Sequence, residues 1–167
     1  MSEKLRIAGV VKESIVDGPG IRFVVFAQGC QHHCPGCHNP ATHDFNGGNL
    51  VAVETIIAEM QKNPLLDGIT LSGGEPFEQP QAFCELARRS QALGYHVMAY
   101  TGYSYETLVT KKDQLGLLEH TDLLVDGKFE VAKKSLMLKF RGSRNQRIID
   151  VNKSRYKNQI VLSEIGY

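Results

Sequence analysis

Cys30, Cys34 and Cys37 stand in the run QGCQHHCPGCHN with the spacing C-x3-C-x2-C. Thiolates are soft ligands that suit iron–sulfur clusters or zinc. A four-iron cluster ordinarily takes four thiolates, one per iron. No fourth cysteine lies nearby: Cys84 falls in the helical stretch QAFCELARRS, where a buried thiol is the expected role. Three local thiolates leave one iron with an open position, and open metal sites bind substrate whereas closed ones hold a fold together. Zinc is the alternative, with His38 completing a Cys3His set. Adjacent Cys37 and His38 are poorly placed to reach one metal, because zinc ligand pairs are usually two to four residues apart.

Other residues could complete such a site. In Ser72-Gly73-Gly74-Glu75-Pro76, Gly73 and Gly74 allow positive φ and close backbone approach to a ligand, and Glu75 can accept hydrogen bonds from an ammonium group. Asp17-Gly18-Pro19-Gly20-Ile21-Arg22 reads locally as a turn. Asp126-Gly127-Lys128 is a good turn dipeptide followed by a cation. His32 and His33, between the cysteines, read as solvent-exposed loop residues. The three arginines of residues 141–147 form either a solvated basic loop or a contact for a partner.

These residues need a frame. Residues 21–27 (IRFVVFA) predict a buried strand whose end runs into the cysteine loop. Residues 53–62 place Val53, Ile56, Ile57 and Met60 at helical spacing. Residues 69–71 predict a strand, 79–93 a helix closed by Gly94, 95–100 a strand and 105–112 a helix. Further strands are expected at 123–125, 146–151 and 159–162. Strands alternating with helices imply parallel pairing. Each candidate motif follows a strand's carboxyl end, where α/β folds place their ligands. A full eight-unit barrel takes about 250 residues, and at least about 200. The 167 residues here are too few. The expectation is therefore an α/β fold with a mostly parallel sheet, an incomplete (β/α) barrel open on one side, and one domain spanning residues 1–167.

Composition narrows the setting. Apolar residues make up 42% and charged residues 22%, ordinary for a soluble globular chain. A net charge of +1 gives no broad field for nucleic acid or an anionic membrane. No apolar run approaches the roughly 20 residues that span a bilayer. The start, MSEKLRIAG, has no apolar secretion segment. Crowded cysteines in a reducing compartment point to metal rather than disulfides, so a cytoplasmic location is expected.

The C-x3-C-x2-C run after a strand, with GGE one βα unit later, resembles the radical S-adenosylmethionine superfamily. The resemblance implies that Cys30, Cys34 and Cys37 hold a [4Fe-4S] cluster and that S-adenosylmethionine chelates the remaining iron. Gly36 stands where that superfamily usually has an aromatic residue. DGPGIR, QGC and Cys37-His38-Asn39 are similar to the activating enzymes of glycyl-radical enzymes. Cys34-Pro35-Gly36-Cys37, Tyr100-Thr101-Gly102-Tyr103, Val125-Asp126-Gly127-Lys128-Phe129 and residues 141–147 resemble the branch that activates anaerobic ribonucleoside-triphosphate reductase, in which Gly36 is expected. The likeness runs over residues 15–151, and residues 152–167 add no motif.

The resemblance implies that an external low-potential donor such as flavodoxin reduces the cluster. Sulfonium cleavage is then implied to give methionine and a 5′-deoxyadenosyl radical, which removes an α-hydrogen from a glycine of the reductase. Gly36, Cys37 and His38 are implied to line the adenine, and Gly73, Gly74 and Glu75 to receive the methionine amino group. Asp126 and Lys128 are implied at its carboxylate. Competing readings are an activase of pyruvate formate-lyase, a small-molecule radical enzyme and a non-enzymatic metal-binding module.

Overall fold

The computed structural model describes residues 3–37 and 39–166. In chain order its elements are β1 (Lys4–Ser14), β2 (Arg22–Ala27), β3 (Asn49–Ala52), α1 (Val53–Gln61), β4 (Gly68–Gly73), α2 (Pro80–Ala92), β5 (His96–Tyr100), α3 (Tyr105–Leu108), α4 (Lys112–Glu119), β6 (Leu123–Asp126), β7 (Arg147–Asp150) and α5 (Val151–Lys157). Seven strands form one sheet in the order β3-β1-β2-β4-β5-β6-β7. The expected α/β arrangement is present, and the sheet stays open between its edges, β3 and β7. The parallel pairings are β2–β4, β4–β5 and β5–β6. Antiparallel pairs flank them on both sides, β1 with β2 and β3, and β7 with β6. Among the described residues, no helix is long and apolar enough to cross a membrane.

Register explains why the central strands are apolar on both faces. Val25, Leu71, Ala99 and Leu124 are aligned neighbours and face the main core, where they meet α1, α2 and α4. One residue earlier, Val24, Thr70, Met98 and Leu123 face the other way. There Met98 and Leu123 join Val125 and Ile148 in a smaller cluster. α1 buries Val53, Ile56, Ile57 and Met60 at the predicted spacing. α2 starts on Pro80, whose missing N–H is harmless in a first turn, and buries Phe83, Leu86 and Ala87. Gly94 follows it at φ +90°.

The turn at residues 17–20 has a structural task. It covers the second face above the fully buried Arg22. Arg22 donates to Pro19 O at 2.9 Å, Thr70 Oγ1 at 2.7 Å, Ile69 O at 2.8 Å and His96 O at 3.0 Å. Thr70 Oγ1 donates in turn to Asp17 O at 2.8 Å. Burial pulls the Arg22 guanidinium down to about 10, so it remains charged at neutral pH.

The structure corrects the expected elements in several places. The helix expected over 105–112 divides. Ser104 caps α3 by accepting from Thr107 N at 3.2 Å, Val109 and Thr110 interrupt it, and Lys111 is extended before α4. Two β-branched residues in a row are poor helix formers. Residues 159–162 make a single bridge, Ile149 with Leu162, rather than a strand. Asn158 is left-handed at φ +53° and ends α5, which the sequence reading missed. β1 and β3 also went unread, because their outward positions carry mixed polar and apolar residues.

Candidate metal centre

The cleft lies at the carboxyl ends of the parallel strands and is lined by Cys30, Cys34 and Cys37, with Gly73, Gly74, Thr101 and Gly102 opposite. Backbone contacts build it. Gly74 N donates to Ala27 O and Glu75 N to Gly29 O, both at 2.8 Å, so the ends of β2 and β4 are laced together. Gly29 N then donates to Thr42 O at 2.6 Å, and Cys30 N to His43 O at 3.2 Å, which ties the far end of the cysteine loop back to its start. A Cβ on Gly73 would lie 2.6 Å from Ala27 N, and one on Gly74 2.5 Å from Gly29 O. Only glycine allows the loop to close on β4 here.

Glu75 is fully buried just behind this surface. Its Oε1 accepts from His32 Nε2 at 2.6 Å, Gly102 N at 2.8 Å and Thr101 Oγ1 at 2.9 Å. Its Oε2 accepts from Phe77 N at 3.2 Å. One carboxylate therefore joins the cysteine loop, the end of β4 and the end of β5. The His32 side chain is only 6% exposed, which overturns the expectation of a solvent-exposed loop residue. The Tyr103 ring meets it edge-on at 4.6 Å. Tyr103 Oη donates to Glu78, and burial followed by Glu78 raises its pKa. His33 is exposed as expected, and it holds a left-handed φ of +50°.

The donor set suits an iron–sulfur cluster. All three cysteines are free thiols. Burial pushes the Cys30 thiol up, while the amides of His32 and His33 oppose that shift by hydrogen-bonding its sulfur. Asn39 N donates to Cys37 Sγ at 3.4 Å. Among the described residues, no three His, Cys, Asp or Glu side chains gather as a site for one metal ion. A cluster makes a different demand, since it takes its thiolates on separate irons. Cys84 lies on α2, away from the cleft, with Sγ against Gly116 O at 3.5 Å.

The remaining expected site residues separate. Gly36 sits in the turn before Cys37, beside Val131 and Phe129, and does not line the cleft. His38 lies outside the described residues. Asp126 is buried, and its carboxylate turns away to Arg147, which donates from Nε to Oδ1 at 2.9 Å and from Nη2 to Oδ2 at 2.5 Å. Asp126 Oδ2 also accepts from Tyr105 N at 2.8 Å. That carboxylate is committed to joining β6, β7 and α3, and the Asp126 hydrogen bond is the main cause of the raised pKa of Arg147. Lys128 is exposed and lines a neighbouring cleft with Gln31, His32 and Tyr103. The sequence reading missed His43, Phe129 and Gln146 in the cysteine cleft. Position after a strand, the signal that marked Gly102, does not mark these loop residues.

The comparisons agree with this chemistry. The family described as a 4Fe-4S single cluster domain matches residues 16–149. The anaerobic ribonucleoside-triphosphate reductase-activating protein of Enterobacteria phage T4 is 34% identical over 142 residues, covering 80% of this chain and 86% of that one. Its namesake in Escherichia coli K12 is 35% identical over 141 residues, covering 79% and 90%. The pyruvate formate-lyase-activating enzyme of Clostridium pasteurianum is 36% identical over 126 residues, covering 72% of this chain and 50% of that one. With its cysteine cleft, its matched cluster domain and relatives aligned over nearly their whole length, this chain belongs to the family of anaerobic ribonucleoside-triphosphate reductase-activating proteins.

Proposed function

We propose that this chain is a radical S-adenosylmethionine enzyme that installs a glycyl radical on an anaerobic ribonucleoside-triphosphate reductase. In this reading Cys30, Cys34 and Cys37 hold a [4Fe-4S] cluster, and S-adenosylmethionine takes the iron they leave open. One observation carries it: three free thiols share a cleft with Gly73 and Gly74 at the adjoining ends of β2 and β4. When bound, the cluster and S-adenosylmethionine supply one-electron cleavage of the sulfonium and removal of a hydrogen from a partner glycine.

The chain's own residues bind and orient. Gly73 and Gly74 keep the cleft floor free of side chains. Glu75 fixes His32, Thr101 and Gly102 and offers negative charge behind that floor to a methionine ammonium. Lys128, in the neighbouring cleft, is the cation for the methionine carboxylate, and Asp126 contributes by holding β6 against β7. Cys37 and His38 are proposed at the adenine, with Gly36 shaping the turn before them at φ +73°. A low-potential donor such as flavodoxin supplies the electron. The chain works as one domain in the cytoplasm, with neither nucleic acid nor membrane as a partner.

Anaerobic reconstitution tests this. About four irons per chain, dithionite-dependent release of 5′-deoxyadenosine, and a glycyl signal in electron paramagnetic resonance when the reductase is added are expected. Cys34→Ala should abolish cleavage, and Cys84→Ala should leave it nearly intact. Zinc without cleavage would overturn the reading. The similarity to a pyruvate formate-lyase activase favours a second reading, but the chain spans only half of that relative. A glycyl signal on pyruvate formate-lyase alone would select it.

A further inference from the structure

His43 is held beside the three cysteines by its backbone. Its N–H donates to Pro40 O at 3.2 Å, and its carbonyl accepts from Cys30 N at 3.2 Å. Its ring lines the same cleft as Cys30, Cys34 and Cys37. The exposed His33 ring meets it edge-on, with centroids 5.1 Å apart at 84°. Yet His43 Nε2 is buried with no hydrogen-bond partner. A buried polar nitrogen left unpaired costs about 1–3 kcal/mol, so such an atom usually has a partner of some kind. The three thiols beside it belong to the proposed cluster ligands, and an iron–sulfur cluster presents sulfur acceptors.

We propose that His43 donates a hydrogen bond from Nε2 to a sulfur of the bound cluster and thereby sets its reduction potential. The reasoning is electrostatic. Reduction adds one negative charge to the cluster, and a donor aimed at sulfur stabilises the more charged state. Backbone amides already serve Cys30 and Cys37 in this way. Among the described residues of the cleft, His43 is the side chain whose ring nitrogen is buried and still unpaired. The role concerns the electron acceptor alone, so His43 is a potential-setting residue that need not touch the substrate.

The inference rests on the cluster reading, and the test separates the two. Wild type, His43→Phe and His43→Gln are reconstituted anaerobically, and iron and the reduced-cluster spectrum are measured first. Absence of a cluster from the wild type would overturn the reading itself. With clusters loaded, midpoint potentials are measured by titration followed by electron paramagnetic resonance. His43→Phe, which keeps a ring but removes the donor, should make reduction about tenfold less favourable, about 59 mV for one electron. His43→Gln, which retains an N–H, should stay close to wild type. Equal potentials in wild type and His43→Phe would overturn the inference, as would equal shifts in the two variants. Should His43→Phe fail to load iron, wild type labelled with ¹⁵N-histidine answers the same question. Hyperfine coupling at a histidine nitrogen that His43→Gln removes supports the bond, and its absence from the wild type overturns it.

Discussion

Glu75 lies two residues past the end of β4 and Asp126 ends β6; each stands beside a glycine, and each is buried. Glu75 turns to His32, Thr101 and Gly102 around the cysteine cleft. Asp126 turns to Arg147 and Tyr105, away from it. The difference comes from what the rest of the chain delivers to each strand end. β7 runs antiparallel beside β6, pairs Arg147 with Asp126 and so presents a guanidinium. No such strand lies beside β4 on its cysteine-loop side: its neighbour there is β2, which ends in that loop. A carboxylate at the ligand end of a sheet therefore organises the cleft only where no cation from a neighbouring strand claims it.

The sharpest way to break this comparison is to remove Glu75. Glu75→Ala strands four buried or half-buried donors, on His32, Thr101, Gly102 and Phe77. It should lower stability by about 3 kcal/mol and slow S-adenosylmethionine cleavage on the order of 100-fold, because the cysteine loop loses its anchor. Urea unfolding and 5′-deoxyadenosine release check the two effects. Near-normal cleavage would erase the distinction. Asp126→Asn should be smaller and purely structural, about 2 kcal/mol by urea unfolding with cleavage little changed. Loss of S-adenosylmethionine affinity in a stable Asp126→Asn protein would instead make the two carboxylates equals. A double-mutant cycle of Asp126→Asn with Arg147→Gln should return a coupling of about 1–2 kcal/mol.

The smallest effect serves as a control. Burial, with Arg22 next, lowers the pKa of His96 below 6.5, and His96 Nδ1 faces Arg22 Nη2 at 3.0 Å. The unfolded chain therefore takes up that proton first, and stability should fall as pH drops below about 6.5. His96→Gln should flatten the slope in thermal unfolding between pH 7.5 and 5. Any slope that survives belongs to other groups.

Parts of the site were readable because they are local. Three thiols within eight positions must share a loop, and a Gly-Gly-Glu turn after an apolar run must sit at a strand end. The core helices were readable for the same reason, since Val53, Ile56, Ile57 and Met60 mark one face by spacing alone. His32 was misread because its partner lies 43 residues away. Between two cysteines in a polar loop, nothing marks a histidine as buried. The division of the expected third helix and the loss of the last strand have a similar cause. Short segments are decided by caps and by the strands they meet, as Ser104 and Asn158 illustrate.

By itself the sequence determined the chemistry on offer: soft ligands in one loop, a side-chain-free turn and acidic groups at strand ends. Residue type and short spacing carry that information directly. Only the tertiary structure decided which acid serves the cleft, which histidine is buried and which ring nitrogen is left buried without a partner. Those outcomes depend on strand order and on partners brought together from distant parts of the chain, and a carboxylate or an imidazole gives up water only for the partner that packing supplies.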